Sequence, residues 1–394
     1  MTVAGSTART RRLGRRLQPA GTPATESPKR LSRRKRIAFA IVANMILLPA
    51  WFLVAEVGFR VFWKPRYWIH TSRLRVASGQ TEAGRKWWPE TRYRVEGSEF
   101  ATEFLTNARG YRARPTPVPP ASAHPYRIAM VGDSFTEAMQ VPYESSFCAR
   151  LETLLNAPCP SRPRVCLNFG VSATGLFDYW HRIVHDVLPN DPPEALILCL
   201  YPGNDFQPTL PADAFDAEGH PLRDYFRPAD TIHHLIAWIN LHSKFGCFAQ
   251  RALLSYDAAS KRPDPRLNNW WGDPERAARL DTDPQVARYR ALFQAIVDEC
   301  RKSGTRLGIV VVGPVANYAA KDGKSPIATI LGHWKIDVPV IDMAIVARAR
   351  PQWASVVFPF DGHLNDSGHQ LVTNETVGPL RALLDQTATA NLRP

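Results

Sequence analysis

The sequence has no glycine-rich phosphate cradle, no cysteines or histidines grouped at metal-ligand spacing, and no internal repeat. Those absences set aside a P-loop nucleotide binder, a zinc-stapled domain and a solenoid, and neither metal nor cofactor is expected. Cysteine is scarce, with 6 in 394 residues and none before Cys148, so no disulfide-dependent miniprotein is encoded. With 45% hydrophobic and 22% charged side chains the chain can bury a large core and is not disordered. Acid is nearly missing from residues 1–36, where 11 Lys or Arg face the single Glu26. The formal +13 is therefore concentrated in a tail, and the rest of the chain is close to neutral. That tail has no aromatic interleaving, so a nucleic-acid partner is not expected.

Charge is absent altogether from residues 37–55, IAFAIVANMILLPAWFLVA. Nineteen residues at about 1.5 Å each reach roughly the thickness of a bilayer's hydrocarbon core. Trp51, Phe52, Phe59, Phe62 and Trp63 suit an interfacial belt. A signal peptide is the rival reading, but its apolar region usually comes after a much shorter basic stretch. The expected organisation is a basic cytoplasmic tail (1–36) and a transmembrane anchor with its interfacial flank (37–62), the membrane being engaged through 37–55. Next come a loop-rich lead-in with short strands (63–125) and a larger domain (126–386). Positive charge on the inner flank predicts a single-pass protein with a cytoplasmic N-terminus and the domain outside, in the periplasm if the envelope is Gram-negative. Disulfides persist there, and Cys159 and Cys166, bracketing a Pro-rich loop, could close a small ring.

Apolar runs at 127–131, 165–169, 196–201 and 307–312, with a weaker one at 338–341, read as buried parallel strands. Helical stripes fill the gaps. One joins Phe147, Leu151, Leu154 and Leu155; another joins Leu176, Tyr179, Trp180, Ile183, Val184 and Val187. A third starts at Asp283 as N-cap, with Pro284 in the first helical position, and stops at Gly304. Alternating strands and helices predict a parallel sheet covered on both faces. Residues 206–282 break the alternation and read as an insertion with one apolar helical stretch near 231–254.

In such a sheet ligands bind beyond the carboxyl ends of the strands. After the first strand come Gly132, Asp133, Ser134, Phe135, Thr136 and Glu137; after the second, Asn168, Phe169 and Gly170; after the third, Gly203, Asn204 and Asp205. Near the end stands FPFDGHLNDSGH, with Asp361, His363 and His369. These four blocks, in this order, resemble the SGNH or GDSL-type serine hydrolases over about 127–385, and NARGYRARP at 107–115 is similar to the lead-in of membrane-anchored members. The resemblance implies a three-layer α/β/α sandwich with a parallel, flavodoxin-like sheet. It makes Ser134 the nucleophile, with Asp361 and His363 completing a catalytic triad, and draws the oxyanion hole from Ser134, Gly170 and Asn204.

The chemistry of the residue types agrees. A serine hydroxyl needs a base near neutrality, an imidazole can be that base, and a carboxylate can hold its tautomer. The backbone N–H groups of Ser134 and Gly170 and the Asn204 amide would face the tetrahedral oxyanion. The sequence departs from the family in three places. The acid stands two residues before His363, with Phe360 in the usual place three before; Pro202 replaces a usual Gly; and Ala138 replaces a common Gly. His181 and His185 stand four apart opposite an apolar stripe and read as a solvated face rather than zinc ligands. The paired tryptophans at 87–88 and 270–271 read as packing residues before sugar platforms. The expected activity is cleavage of acyl esters through an acyl-serine, on small esters or acylated glycans of a cell envelope. The alternatives are an O-acyltransferase supplied by a membrane acyl-donor partner, and a catalytically silent glycan-binding module.

Overall fold

The computed structural model describes residues 32–65, 67–70, 86–115, 124–157, 160, 162–189, 192–206, 210–225, 231–260, 270–312, 325–343 and 353–385. Most of the basic tail, Cys159 and residue 386 lie outside the described residues. The chain divides into two units, Met1–Val54 and Ala55–Pro394.

Helix α1, Arg33–Phe62, runs through the uncharged segment. It is long and apolar enough to cross a membrane, with a mean hydropathy of 2.3 over its most apolar window and none of that window buried in protein.

The second unit is built on a parallel sheet of five strands, β4 (Tyr126–Gly132), β5 (Arg164–Gly170), β6 (Ala195–Leu200), β7 (Arg306–Val311) and β8 (Val340–Asp342), in the order β5-β4-β6-β7-β8. This is the flavodoxin-like order, in which the chain reverses direction across the sheet beside β4. Period-two alternation sends successive side chains to opposite faces. Ala129, Val131, Leu196, Leu198 and Leu200 join one buried cluster with α4 (Leu176–Arg182), α8 (Pro284–Lys302) and α9 (Pro326–His333). Ile128, Met130, Ala195, Ile197 and Cys199 join another with α3 (Phe147–Asn156) and α10 (Asp366–Asp385). Both faces are covered, which is why these strands read as unbroken apolar runs. Asp283 caps α8 by accepting the Gln285 N–H at 2.9 Å, and Gly304 past its end has φ +69°.

Two sequence expectations, on Cys166 and on His181, need correction. The short strands expected in the lead-in pair with one another. They form an antiparallel sheet of β1 (Tyr67–His70), β2 (Arg92–Gly97) and β3 (Ala101–Leu105), whose Tyr93, Val95 and Phe104 bury against Met139. Cys166 is a free thiol buried within β5, where strand pairing turns its side chain into the core cluster that also holds Cys148. His181 is buried, not solvated. Residues 215–225 fold over that side of α4, with Phe215 and Tyr225 against Phe177 and the Arg223 carbonyl 2.8 Å from His185 Nε2. Burial pulls the His181 pKa down to about 4.

Where one apolar helical stretch was expected, the described residues form two helices, α5 (Thr231–His242) and α6 (Lys244–Ser260), separated at Ser243, whose Oγ accepts the Gly246 N–H at 2.8 Å. Farther along lies α7 (Pro274–Arg279), and Trp270 and Trp271 pack in the core with Phe206 and Tyr289.

Candidate active site

Ser134 begins α2 (Ser134–Glu137), two residues beyond the end of β4. A helix this short needs both ends held. Asp133 is the N-cap, its carboxylate accepting the Phe135 N–H at 2.9 Å, and the helix stops at Ala138 in a left-handed conformation, φ 56°. The strand-to-helix turn is tight because its glycines admit close neighbours. A Cβ on Gly132 would stand 2.1 Å from Thr136 Oγ1, and one on Gly170 would stand 2.2 Å from the Glu137 nitrogen.

The carbonyls released where strands and helix meet are taken up by two buried arginines. Arg112 donates to the carbonyls of Glu137 (2.8 Å), Ala138 (2.5 Å) and Val141 (2.7 Å). Arg182 donates to those of Gly132 (2.9 Å) and Phe169 (2.8 Å), and to Thr174 Oγ1 at 3.2 Å. Burial lowers the Arg112 guanidinium to about 10, with the Glu137 carboxylate opposing the shift. Glu137 is itself fully buried and accepts from Trp87 Nε1 and from Ser172. Arg112 belongs to NARGYRARP, where Tyr111 also donates to Asp186 at 2.5 Å. That lead-in motif braces the turn that carries Ser134.

His363 arrives on the loop before α10. His363 Nε2 lies 2.7 Å from Ser134 Oγ, and His363 Nδ1 lies 2.6 Å from Asp361 Oδ1. With the carboxylate accepting from Nδ1–H, Nε2 is left as the acceptor for the serine hydroxyl. The two-residue spacing works because Gly362, at φ +84°, turns the chain back so that Asp361 reaches the ring two positions on. Phe360, in the family's usual acid position, is 69% exposed. The Asp361 side chain is fully buried, while that of His363 keeps 20% exposure. Phe135 flanks the imidazole, ring centroids 5.0 Å apart.

His369 is placed differently. It is buried in α10, stacked on Phe147, and its Nδ1 accepts the Phe147 N–H at 3.3 Å, at the start of α3. Burial, aided by Arg112 and Arg150, pushes its pKa down to about 3, so the ring is neutral and structural.

The oxyanion side needs one correction. Gly170 lies in β5, and its N–H donates to Asn168 Oδ1 at 2.8 Å while Asn168 Nδ2 donates to the Thr136 carbonyl at 2.7 Å. Asn168 thus clamps β5 to α2, and the Gly170 donor is occupied. Asn204 sits beside Asp133, whose pKa burial raises to about 6 against the Phe135 N–H and the Asn204 amide. Asp205 is buried next to it, accepting from Tyr179 Oη (2.6 Å) and the Tyr201 N–H (2.7 Å). Ser134, at the first helical position, has no intrahelical acceptor for its N–H. Among the described residues no three His, Cys, Asp or Glu side chains group as a metal site.

Among solved structures, the chain is similar to G-D-S-L-type lipolytic proteins and esterases. A putative lipolytic protein of that family from Desulfitobacterium hafniense DCB-2 is 13% identical, covering 64% of this chain and 98% of its own, with a TM-score of 0.34. The psychrotrophic esterase EstA from Pseudoalteromonas sp. is 12% identical, covering 66% and 99%, at 0.37. A two-domain esterase active on acetylated mannans is 14% identical at 0.35, and this chain spans about half (49%) of its length. No protein-family profile matches the chain. No curated protein matches it either. Likeness at this level decides nothing about substrate, and the functional reading rests on the site itself.

Proposed function

We propose that the protein is a membrane-anchored serine esterase of the SGNH type that cleaves acyl esters through an acyl-Ser134 intermediate, outside the cytoplasm. The observation that carries this reading is the relay from Ser134 Oγ through His363 to Asp361, at 2.7 and 2.6 Å, at the carboxyl end of β4 beside the point where strand order reverses. His363 Nε2 takes the serine proton as Oγ attacks the ester carbonyl. Asp361 holds the tautomer and stabilises the imidazolium, which then protonates the leaving alkoxide. The Ser134 N–H and the Asn204 amide serve the developing oxyanion, and each such donor is worth about 100-fold or more in turnover. Water, or a sugar hydroxyl in the transfer variant of the chemistry, then attacks the acyl-serine. The topology reading adds an envelope polymer as the natural acceptor or substrate.

The test is labelling with a fluorophosphonate and then product analysis. One equivalent of label on Ser134, lost in Ser134→Ala, supports the reading; no labelling of a folded chain makes it a silent binding module. Free acid from an acyl donor identifies an esterase, and acylated oligosaccharide formed only when acceptor is present identifies a transferase.

A further inference from the structure

The acid–base loop is closed by its own hydrogen bonds. The Phe358 N–H donates to the His363 carbonyl (2.9 Å), the Gly362 N–H donates to the Phe358 carbonyl (2.7 Å), and Val357 bridges Leu364. These bonds give the loop its shape, and the buried Leu364 roots it in the core just after His363. A residue far away in sequence reaches it. Glu99, at the tip of the β2–β3 hairpin, accepts two backbone N–H groups on a single oxygen, from Asp361 at 2.7 Å and Phe360 at 3.0 Å. Phe100 beside it packs on Phe358, ring centroids 5.1 Å apart. The hairpin itself is closed by the Gly97 N–H on the Phe100 carbonyl at 2.8 Å.

The same hairpin is fastened to the nucleophile side. Thr102 Oγ1 donates to the Met139 carbonyl at 2.5 Å, and the Met139 side chain is buried among Tyr93, Val95 and Phe104. Met139 directly succeeds Ala138, where α2 ends. One small sheet therefore holds the serine turn through Met139 and the acid–base loop through Glu99.

We propose that Glu99 is a positioning residue for the triad: it fixes the backbone of Asp361, and through Asp361 the His363 ring, at the separation from Ser134 that proton transfer needs. The proposal rests on the esterase reading for its kinetic arm only. A carboxylate suits the task because one oxygen accepts both N–H groups, and a glutamine carbonyl could accept them equally. Displacement of a catalytic group by about 1 Å can cost about 100-fold in rate without weakening substrate binding in proportion.

The test uses the full chain in detergent and a short-chain aryl ester. Glu99→Ala should lower kcat about tenfold or more, leaving KM within about twofold. Glu99→Gln should keep kcat within about threefold of wild type. Glu99→Asp, one methylene short, should resemble Glu99→Ala, and the Asp and Gln pair decides the matter if the alanine variant does not fold. A kcat for Glu99→Ala within twofold of wild type overturns the proposal, as does an equal loss in Glu99→Ala and Glu99→Gln. If the wild type cleaves no ester, the esterase reading falls separately. The low-field proton resonance of His363 Nδ1–H then decides: kept in Glu99→Gln and lost or moved in Glu99→Ala supports positioning, unchanged in Glu99→Ala refutes it.

Discussion

The two halves of the site are held by different means. Ser134 stands at a strand end whose stray carbonyls are bound by the buried Arg112 and Arg182, and whose sheet edge is clamped by Asn168. Asp361 and His363 stand on a loop that closes on itself, is rooted in the core just after His363 by the buried Leu364, and is tied at Asp361 through backbone N–H groups on Glu99. The Ser134 side is thus braced by buried arginines throughout. The Asp361–His363 side is rooted at one end and tethered at the other, so its geometry can fail while the fold persists. Variants on the two sides should separate accordingly.

The largest expected effect is on the attached side. His363→Ala should cut kcat/KM for a short aryl ester by about 10,000-fold, near the effect of Ser134→Ala, with the thermal midpoint barely moved. His369→Ala should invert that pattern, losing stability because a ring packed on Phe147 and accepting its N–H is removed, while the folded fraction keeps most of its activity. Activity and melting measured on both variants check this. An inactive His369→Ala beside an active His363→Ala would reassign the base.

Next comes Arg112→Met on the core side. It keeps the apolar stem and strips the donors from three buried carbonyls at the end of α2. Unsatisfied buried groups cost about 1–3 kcal/mol each, so a loss of roughly 3 kcal/mol is expected even after partial rearrangement. Activity should fall together with stability. Denaturant unfolding alongside kinetics tests the comparison: a variant as stable as wild type but inactive would show the nucleophile side to be as detachable as the base side.

Legibility in the sequence divides along the same line. The five strands and the Asp283-to-Gly304 limits of α8 show up as local patterns, unbroken apolar runs and capping, and each strand lies within two residues of its apolar run. Ser134, Asp361 and His363 are legible because their chemistry and block order are written in the chain, and the structure brings them to hydrogen-bonding distance. Arg112, Arg182 and Glu99 are not, since an arginine or glutamate in a loop or helix looks solvated until a partner is known. Glu99 finds its partners more than 250 residues away. Gly170 misleads because a glycine that lets α2 approach looks the same in sequence as one that opens its N–H to substrate. His181 misleads because the segment covering it comes later in the chain.

A smaller effect lies in the pH dependence of stability. His369 has its folded pKa lowered from 6.5 to about 3, so protonation favours the unfolded chain. Its contribution is full above pH 6.5 and is lost as pH falls from there toward 3. His181, lowered to about 4, acts in the same direction. Asp133, raised to about 6, acts oppositely: its contribution is full below about 3.8 and is lost as pH rises through 6. Unfolding monitored from pH 7 to 4 should therefore show a weaker acid destabilisation in His369→Gln than in wild type. An unchanged slope would mean that the His369 ring is not held neutral. If core and loop differ in this way, the titration moves stability without moving the relative rates of folded enzyme and its His363 variant.

The smallest effects come from exchanging the two left-handed positions, one on each side of the site. Ala138 adopts φ 56° at the end of α2, where an L side chain costs about 1–2 kcal/mol. Ala138→Gly relieves that strain but gives up a buried methyl worth about 0.8 kcal/mol and loosens the unfolded chain by about 0.4–1 kcal/mol. The terms nearly cancel, so the melting midpoint and kcat should both stay close to wild type. Gly362→Ala, at φ +84°, meets no atom within 4 Å of the added methyl, leaving only the backbone cost of about 1–2 kcal/mol. Because that turn sets the reach of Asp361 to His363, a loss in kcat should accompany even this modest destabilisation. If Ala138→Gly impaired turnover as much as Gly362→Ala, the serine turn would depend on its own terminal residue rather than on the arginine that binds its carbonyls, and the contrast between a core-held nucleophile and a tethered base would fail.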